Sequence, residues 1–410
     1  MKYHYKSTQY KAIFLYVACF VLFVLYSVHM YIGHQTGIVA LSYYVASGTS
    51  ASSATSSGAW ISALLGTLLC IIPALVLARL LHFPLRLKAL AFLPSYIILG
   101  LITGISPESI TATENSIPLL SSIALLVVSA ILLFLSQVYH EDRGEHAPVF
   151  NYLVPNVFIS CVGMLLCMML TNTDRQLHVQ LALADGVHQN DHSVVDRLPH
   201  GETTTNNTIT AIQAFSLSRR GQLADKLFSL PHLKGSNSLL PDTVPASAVY
   251  HTTALVYGHL QAVPVGKHRN AAAFLEKALS RRMSLLSDTS ATSADSLRAR
   301  PLVDYYLCAL LLDRDLSRFS DEVYKHCTVD ATLPRHYREA LTLYHSQDSL
   351  AKRMYEDLPM DSVFAGYAEL REEHKGDVLM QRKACVRSYP HSYWNYYFYG
   401  YNNTDYQTHN

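Results

Sequence analysis

The sequence lacks nearly everything that would announce a chemistry. No GxSxG elbow, GxxxxGK[ST] loop or GxGxxG turn occurs, so neither a nucleophilic serine nor a phosphate cradle is signalled. Seven cysteines include no CxxC pair, which removes the usual warrant for a zinc knuckle or a redox dithiol. No block of five or six basic residues is present, and without one nucleic-acid binding has no electrostatic footprint. Acids and bases are almost missing from the first 170 residues, which hold 7 Lys/Arg and 5 Asp/Glu; the other 240 residues hold 25 and 26.

What fills the charge-poor part is a series of apolar stretches. Ala12–Ile32 has 21 residues without Asp, Glu, Lys or Arg, against the ~20 helical residues that cross a bilayer core. It exceeds a signal-peptide core of ~7–15 residues, so an uncleaved first helix is expected. Four more spans are expected at 60–80, 89–105, 117–138 and 152–170. Pro73 and Pro94 fall inside the second and third, where neighbouring helices can re-satisfy the backbone. Thr36–Ser47 is too short to cross, and the Ser/Ala-rich run Gly48–Ser57 reads as a loop.

Lys2, Lys6, Lys11, Arg79, Arg86, Lys88 and Arg143 fall in alternate connections, while 33–58 and 106–116 carry no base. The positive-inside rule then predicts a multi-pass protein of the bacterial inner membrane with a cytoplasmic N-terminus. After five spans, residues 171–410 would be periplasmic. His29, near one end of a span, is the one ionisable candidate within the spans. A proton or ion path needs such groups at depth, so a transporter is disfavoured and an anchor favoured.

The polar part shows helical periodicity. In ITAIQAFSLSRRGQLADKLF (209–228), Ile212, Phe215 and Leu217 mark one apolar face. Gly221 interrupts, then Leu223, Ala224, Leu227 and Phe228 resume, as in an antiparallel helix pair. Further pairs are expected at Ala248–Leu260 with Ala271–Leu279, Pro301–Leu312 with Arg318–Cys327, Pro334–Tyr344 with Ser349–Leu358, and Val363–His374 with Val378–Tyr389. Pro301 and Pro334 suit first helical turns, and Ser284–Arg300 reads as a polar loop. Units of ~30–45 residues suggest a degenerate tetratricopeptide (TPR)-like repeat. The expected fold is all-α: transmembrane domain 1–170, linker with first helices 171–205, and helical-repeat domain 206–410.

Histidines invite a metal reading. His178, His188, His192 and His200 have spacings of 10, 4 and 8, which give at most one i, i+4 pair, so no metal site is expected. His140 and His146 lack the HExxH spacing and read as part of a connecting turn. Cys308 and Cys327 either pair or stay as buried thiols. No cofactor is indicated. Tyr393, Trp394, Tyr396, Tyr397 and Tyr399 crowd one short stretch. They either cap the last repeat or face a partner or the membrane surface, since Tyr and Trp suit wet apolar boundaries. A carbohydrate platform is a weaker third reading.

The spans followed by SRRGQLADKLFSLP, PRHYREALTLYH and YWNYYFYGY resemble an uncharacterised bacterial family of polytopic membrane proteins with a tetratricopeptide-like tail. The resemblance implies an anchor bearing an extracytoplasmic helical module, with no functional residue to carry over. The expected function is presentation of that module to an envelope protein for protein–protein interaction or envelope assembly. The alternative is an enzyme acting on envelope lipid or glycan, with Glu108, Glu114, Asp174 and His178 near the substrate.

Overall fold

The computed structural model describes residues 2–30, 37–38, 56–80, 83–104, 127, 148–190, 207–230, 233, 235–241, 252–263, 270–287, 293–330, 332–347 and 356–400. All regular structure among them is helical. Contacts divide the chain into Met1–Leu181 and Ala182–Asn410.

The first unit contains α1 (Lys2–His29), α2 (Ser56–Leu80), a 3-10 segment (Leu85–Phe92), α3 (Leu93–Thr103) and α4 (Val149–Leu170). Helix α5 (Arg175–His188) follows and runs through the division. Three helical stretches, Gln9–His29, Leu85–Thr103 and Val149–Leu170, are long and apolar enough to cross a membrane. Their outer faces are apolar: Phe150 and Phe158 are each 68% exposed and Met169 is 85% exposed. Water would penalise such a surface whereas lipid tails would cover it, so the unit is membrane-associated. The expected span at 60–80 falls within α2, whose shorter described apolar part is Cys70–Leu80. The expected span at 117–138 lies outside the described residues except for Val127. Among the described residues, three stretches are therefore long and apolar enough to be spans, where five spans were expected.

The third expected span is not one continuous α-helix. Leu87 leaves helical geometry (φ −122°, ψ 18°), Leu85–Phe92 is wound as 3-10, and α3 starts afresh at Leu93 with Pro94 in its first turn. Pro94 thus sits where its missing N–H matters least, not inside a helix as expected. A 3-10 segment in an apolar layer leaves backbone groups to satisfy. Asn156 of α4, fully buried, does so. Its Oδ1 accepts from Ala89 N at 2.7 Å, and its Nδ2 donates to Leu85 O at 2.8 Å and to Tyr152 O at 2.6 Å.

Helices α3 and α4 approach closely because of glycine. A Cβ on Gly163 would lie 2.6 Å from the Tyr96 ring, and one on Gly104 would strike the Leu170 carbonyl. At this end Thr103 and Thr171 hydroxyls meet at 3.0 Å, and Asn172 N donates to Thr103 O at 3.0 Å.

In the second unit the helices are α6 (Asn207–Arg219), α7 (Leu223–Lys226), α8 (Thr252–Leu260), α9 (Ala271–Ser287), α10 (Ser293–Leu312), α11 (Leu316–His326), α12 (Arg335–Gln347), α13 (Leu358–Glu373), α14 (Val378–Ser388) and α15 (Tyr393–Tyr399). Helix starts follow capping chemistry. Asp315, Asp357, Asp377 and Ser392 each accept a backbone N–H from the first turn they precede. Helix α11 buries Leu316, Phe319, Ser320 and Val323, a stripe at helical spacing. From α9 onward each helix packs on the next.

Gly221 (φ +66°) closes α6, with Gln222 N donating to Leu217 O at 2.9 Å, a Schellman closure that glycine accommodates without strain. The expected second helix of this pair is a single turn, α7, continued by a 3-10 turn at Leu227–Ser229. One proline expectation needs correction. Helix α10 runs through Pro301 from Ser293, so part of the expected polar loop Ser284–Arg300 is helical. SADSLRAR lacks apolar periodicity but contains good helix formers. Pro334 precedes α12, and its carbonyl accepts from Tyr337 N and Arg338 N. The helix expected at Ser349–Leu358 lies mostly outside the described residues, and α13 begins at Leu358.

Candidate functional site

The most chemically loaded part of the second unit is the first half of α12. Arg335, His336 and Glu339 fall at i, i+1 and i+4, so the helix brings all three to one side. Glu339 is 2% exposed. Its carboxylate accepts from Arg335 Nε at 2.8 Å, His336 Nδ1 at 2.9 Å and the Tyr393 amide at 2.8 Å. Burial pushes the carboxyl up, but the His336 hydrogen bond, the charges of His336 and Arg335 and the Tyr393 amide outweigh it and hold the group below the usual glutamate range. Its backbone carbonyl accepts from Trp394 Nε1 at 2.8 Å. Glu339 therefore grips the start of α15 with both its side chain and its main chain.

Aromatic packing completes the joint. Phe228 meets His336 edge-on at 4.8 Å between ring centres, with Tyr396 at 5.0 Å and Tyr393 at 5.2 Å. Trp394 packs against Phe364 at 5.0 Å and Tyr367 at 5.2 Å. Tyr396 OH donates to Leu312 O at 2.7 Å. Asn395 accepts from Tyr367 OH at 3.2 Å and donates to Tyr389 O at 2.6 Å.

Of the five aromatic residues singled out in the sequence, Tyr393, Trp394 and Tyr396 are thus buried and hold α15 to α12 and α10. Tyr397 and Tyr399 are half-buried. Tyr397 touches the Tyr393 and Phe398 rings, and Tyr399 OH lies 3.7 Å from Cys385 Sγ. Glu339 and His336 carry no motif in the sequence beyond their spacing with Arg335, which only a partner segment can turn into a site.

A second polar cluster joins α10 to α12. Tyr337 OH donates to Asp304 Oδ1 at 3.3 Å and lies 3.8 Å from Cys308 Sγ. Burial lifts the Asp304 carboxyl to about 6, against the pull of the Arg300 charge and the Tyr337 hydrogen bond. Asp225 accepts from Arg335 N at 2.8 Å and adds its own negative charge nearby. Cys308 and Cys327 are free thiols, and burial raises both. A hydrogen-bonded Ser218 Oγ–His259 Nε2 pair at 3.0 Å ties α6 to α8. Burial and the Arg219 charge lower the His259 pKa.

Asp304 supplies a pH prediction. Its folded pKa lies above the ordinary 3.8, so the folded state holds the proton more tightly than the unfolded chain. Stability from this group is fully present below about 3.8 and is lost as pH rises through about 6. Asp304→Asn keeps an acceptor for Tyr337 and should stabilise the protein by about 1–2 kcal/mol at pH 7. Near pH 4 the gain should vanish. Urea unfolding at the two pH values measures this, and an equal effect at both removes the ionisation argument.

Among the described residues, no three His, Cys, Asp or Glu side chains converge as a metal site. His178 Nε2 lies 3.0 Å from Asn172 O, and Asp174 accepts from Gln176 N at 2.9 Å at the start of α5. Both are committed to local structure. His140, His146, His192, His200, Glu108 and Glu114 lie outside the described residues.

These observations define an all-helical protein with helices long and apolar enough to cross a membrane. Residues 1–277 and 293–400 match DUF6057, a family of unknown function, and the chain belongs to that family. No curated protein and no solved structure matches the chain.

Proposed function

We propose that this protein is a multi-pass anchor of the bacterial inner membrane that presents a TPR-like helical module in the periplasm for docking to another envelope protein. The observation that carries the reading is the run from α9 to α15, in which each helix packs on the next. Sequential helix pairs of this kind expose continuous outer faces suited to peptides or helices. Here α15 closes the run and offers the half-buried Tyr397 and Tyr399 at its end, and aromatic side chains of this kind are favoured at interfaces.

The orientation draws support from the first unit. Lys11 lies over the Tyr152 ring at 5.9 Å and Lys88 over the Tyr16 ring at 5.1 Å, which gathers the beginnings of α1, the 3-10 segment and α4 at one end. Thr103 and Thr171 meet at the other. The shared lysine end suits the cytoplasmic face.

Two measurements test the reading. A reporter fused after Asn410 should be active on the periplasmic side, and cytoplasmic activity would overturn the topology. A photo-crosslinker at Tyr397 or Tyr399, in intact membranes, should trap one discrete envelope protein. Capture of lipid alone, or of nothing, would overturn the docking role.

A further inference from the structure

The turn between α13 and α14 has an unusual surface. After Gly376 (φ +112°) and the capping Asp377, three successive large apolar residues stand exposed: Val378 by 71%, Leu379 by 60% and Met380 by 54%. Helix α14 contains Arg382, Lys383 and Arg387 and no acidic residue. Leu379, Met380, Lys383 and Arg387 are all exposed and, being three or four residues apart, share one face. The opposite face buries Cys385. One helix therefore leads with an apolar tip and follows with cations.

We infer that the tip of α14 inserts into the interfacial region of an anionic bilayer, with Lys383 and Arg387 on lipid phosphates. Three features favour lipid over a protein groove. The apolar residues project from a turn, so they offer depth of insertion and little flat area. The cations behind them match anionic headgroups, as in helices that lie at a membrane surface. The chain itself carries helices able to cross a membrane, so a bilayer is a surface to which it is already directed. The nearby acids lie on α13 and in the turn rather than on α14: Glu372 pairs with Lys375, the Asp377 carboxylate accepts the Leu379 and Met380 amides, and Glu369 and Glu373 are exposed on α13.

The test uses the full chain with Cys161→Ser and Cys327→Ser, which removes the exposed and the partly exposed native thiols. A spin label is placed by Leu379→Cys, by Met380→Cys as a second site, or by Leu358→Cys as a reference. Leu358 is 76% exposed at the far end of α13. The protein is reconstituted in phosphatidylcholine vesicles with or without phosphatidylglycerol. With phosphatidylglycerol, labels at 379 and 380 should be reached by oxygen and shielded from a water-soluble nickel chelate, while the label at 358 stays open to the chelate. Adding Lys383→Glu with Arg387→Glu should return the 379 label to water.

Free access of the chelate to 379 and 380 overturns the inference. Shielding from both quenchers does too, because it signals a protein partner or a second copy. A label that stays in lipid after charge reversal overturns the headgroup contact. None of these outcomes depends on whether Tyr397 and Tyr399 capture an envelope protein, so this inference and the docking role fail separately.

Discussion

Replacing Glu339 by alanine should lower the unfolding free energy of the second unit by about 3–5 kcal/mol, the range for removing one partner of a buried ion pair. Three donors lose their acceptor together: Arg335 Nε, His336 Nδ1 and the Tyr393 amide. His336 is only 1% exposed, and its Nε2 already has no hydrogen-bond partner. It therefore has no second bond to retreat to, and water reaches it poorly. Because Glu339 also positions the Trp394 contact, release should spread to α15. Limited proteolysis should cut first near Arg387, and near-ultraviolet circular dichroism should lose the Trp394 signal while most helix content remains. Glu339→Gln keeps an acceptor and should lose about 1–3 kcal/mol. Equal proteolytic resistance in Glu339→Ala and the parent would sink this account.

The same carboxylate has a pH signature opposite to that of Asp304. Its folded pKa lies below the ordinary value of 4.5, so its contribution is fully present above that value. It is lost as pH falls through the lower, folded value. Acidification from pH 7 should thus first strengthen the Asp304 region, down to about pH 4, and then loosen the α12–α15 joint. Asp304→Asn should remove the first phase and Glu339→Gln the second.

Asn156→Leu should destabilise the membrane-associated unit by about 2–4 kcal/mol. Leucine fills similar space but neither accepts from Ala89 N nor donates to Leu85 O. Those groups lie in a 3-10 segment packed on apolar helices, where an unsatisfied buried group is costly. Asn156→Asp keeps the acceptor for Ala89 N and loses both donations, so it should be no better tolerated than leucine. Detergent-induced unfolding followed by circular dichroism gives the measurement. A loss near 0.6 kcal/mol, typical of hydrogen bonds between membrane helices, would mean that the segment finds other partners.

Pro94 and Asn156 also show where sequence reading stopped. An apolar run with a proline reads as a span with a tolerated break, and the run from Leu85 to Thr103 is indeed long and apolar enough to cross a membrane. Whether that break is a kinked α-helix or a 3-10 segment followed by a new helix depends on who satisfies the freed backbone. That group is Asn156, 67 positions from Ala89, and no local pattern announces it. Pro301 failed for the opposite reason. SADSLRAR is polar and shows no apolar periodicity, yet its residues are permissive of helix and the chain continues helically through the proline.

Local features were legible wherever the interaction is local. The helical class, the division between charge-poor and charge-rich parts, the turn at Gly221 and the starts near Pro334 and Asp377 all rest on contacts within a few residues. Direction and burial were not. Five Tyr and Trp residues within seven positions look alike as a string, yet Tyr393, Trp394 and Tyr396 turn inward while Tyr397 and Tyr399 stay half-exposed. The difference is made by Phe228, Glu339 and Leu312, which are more than fifty residues away. By itself the sequence determined an all-α chain with an apolar and a polar part, because propensity, capping and hydropathy act at short range. Only the tertiary structure decided that Glu339 is a buried latch, that Asp304 keeps its proton up to about pH 6 and that α14 leads with an exposed apolar tip. Each of these is a matter of desolvation, and desolvation is set by what packs on a residue from elsewhere in the chain.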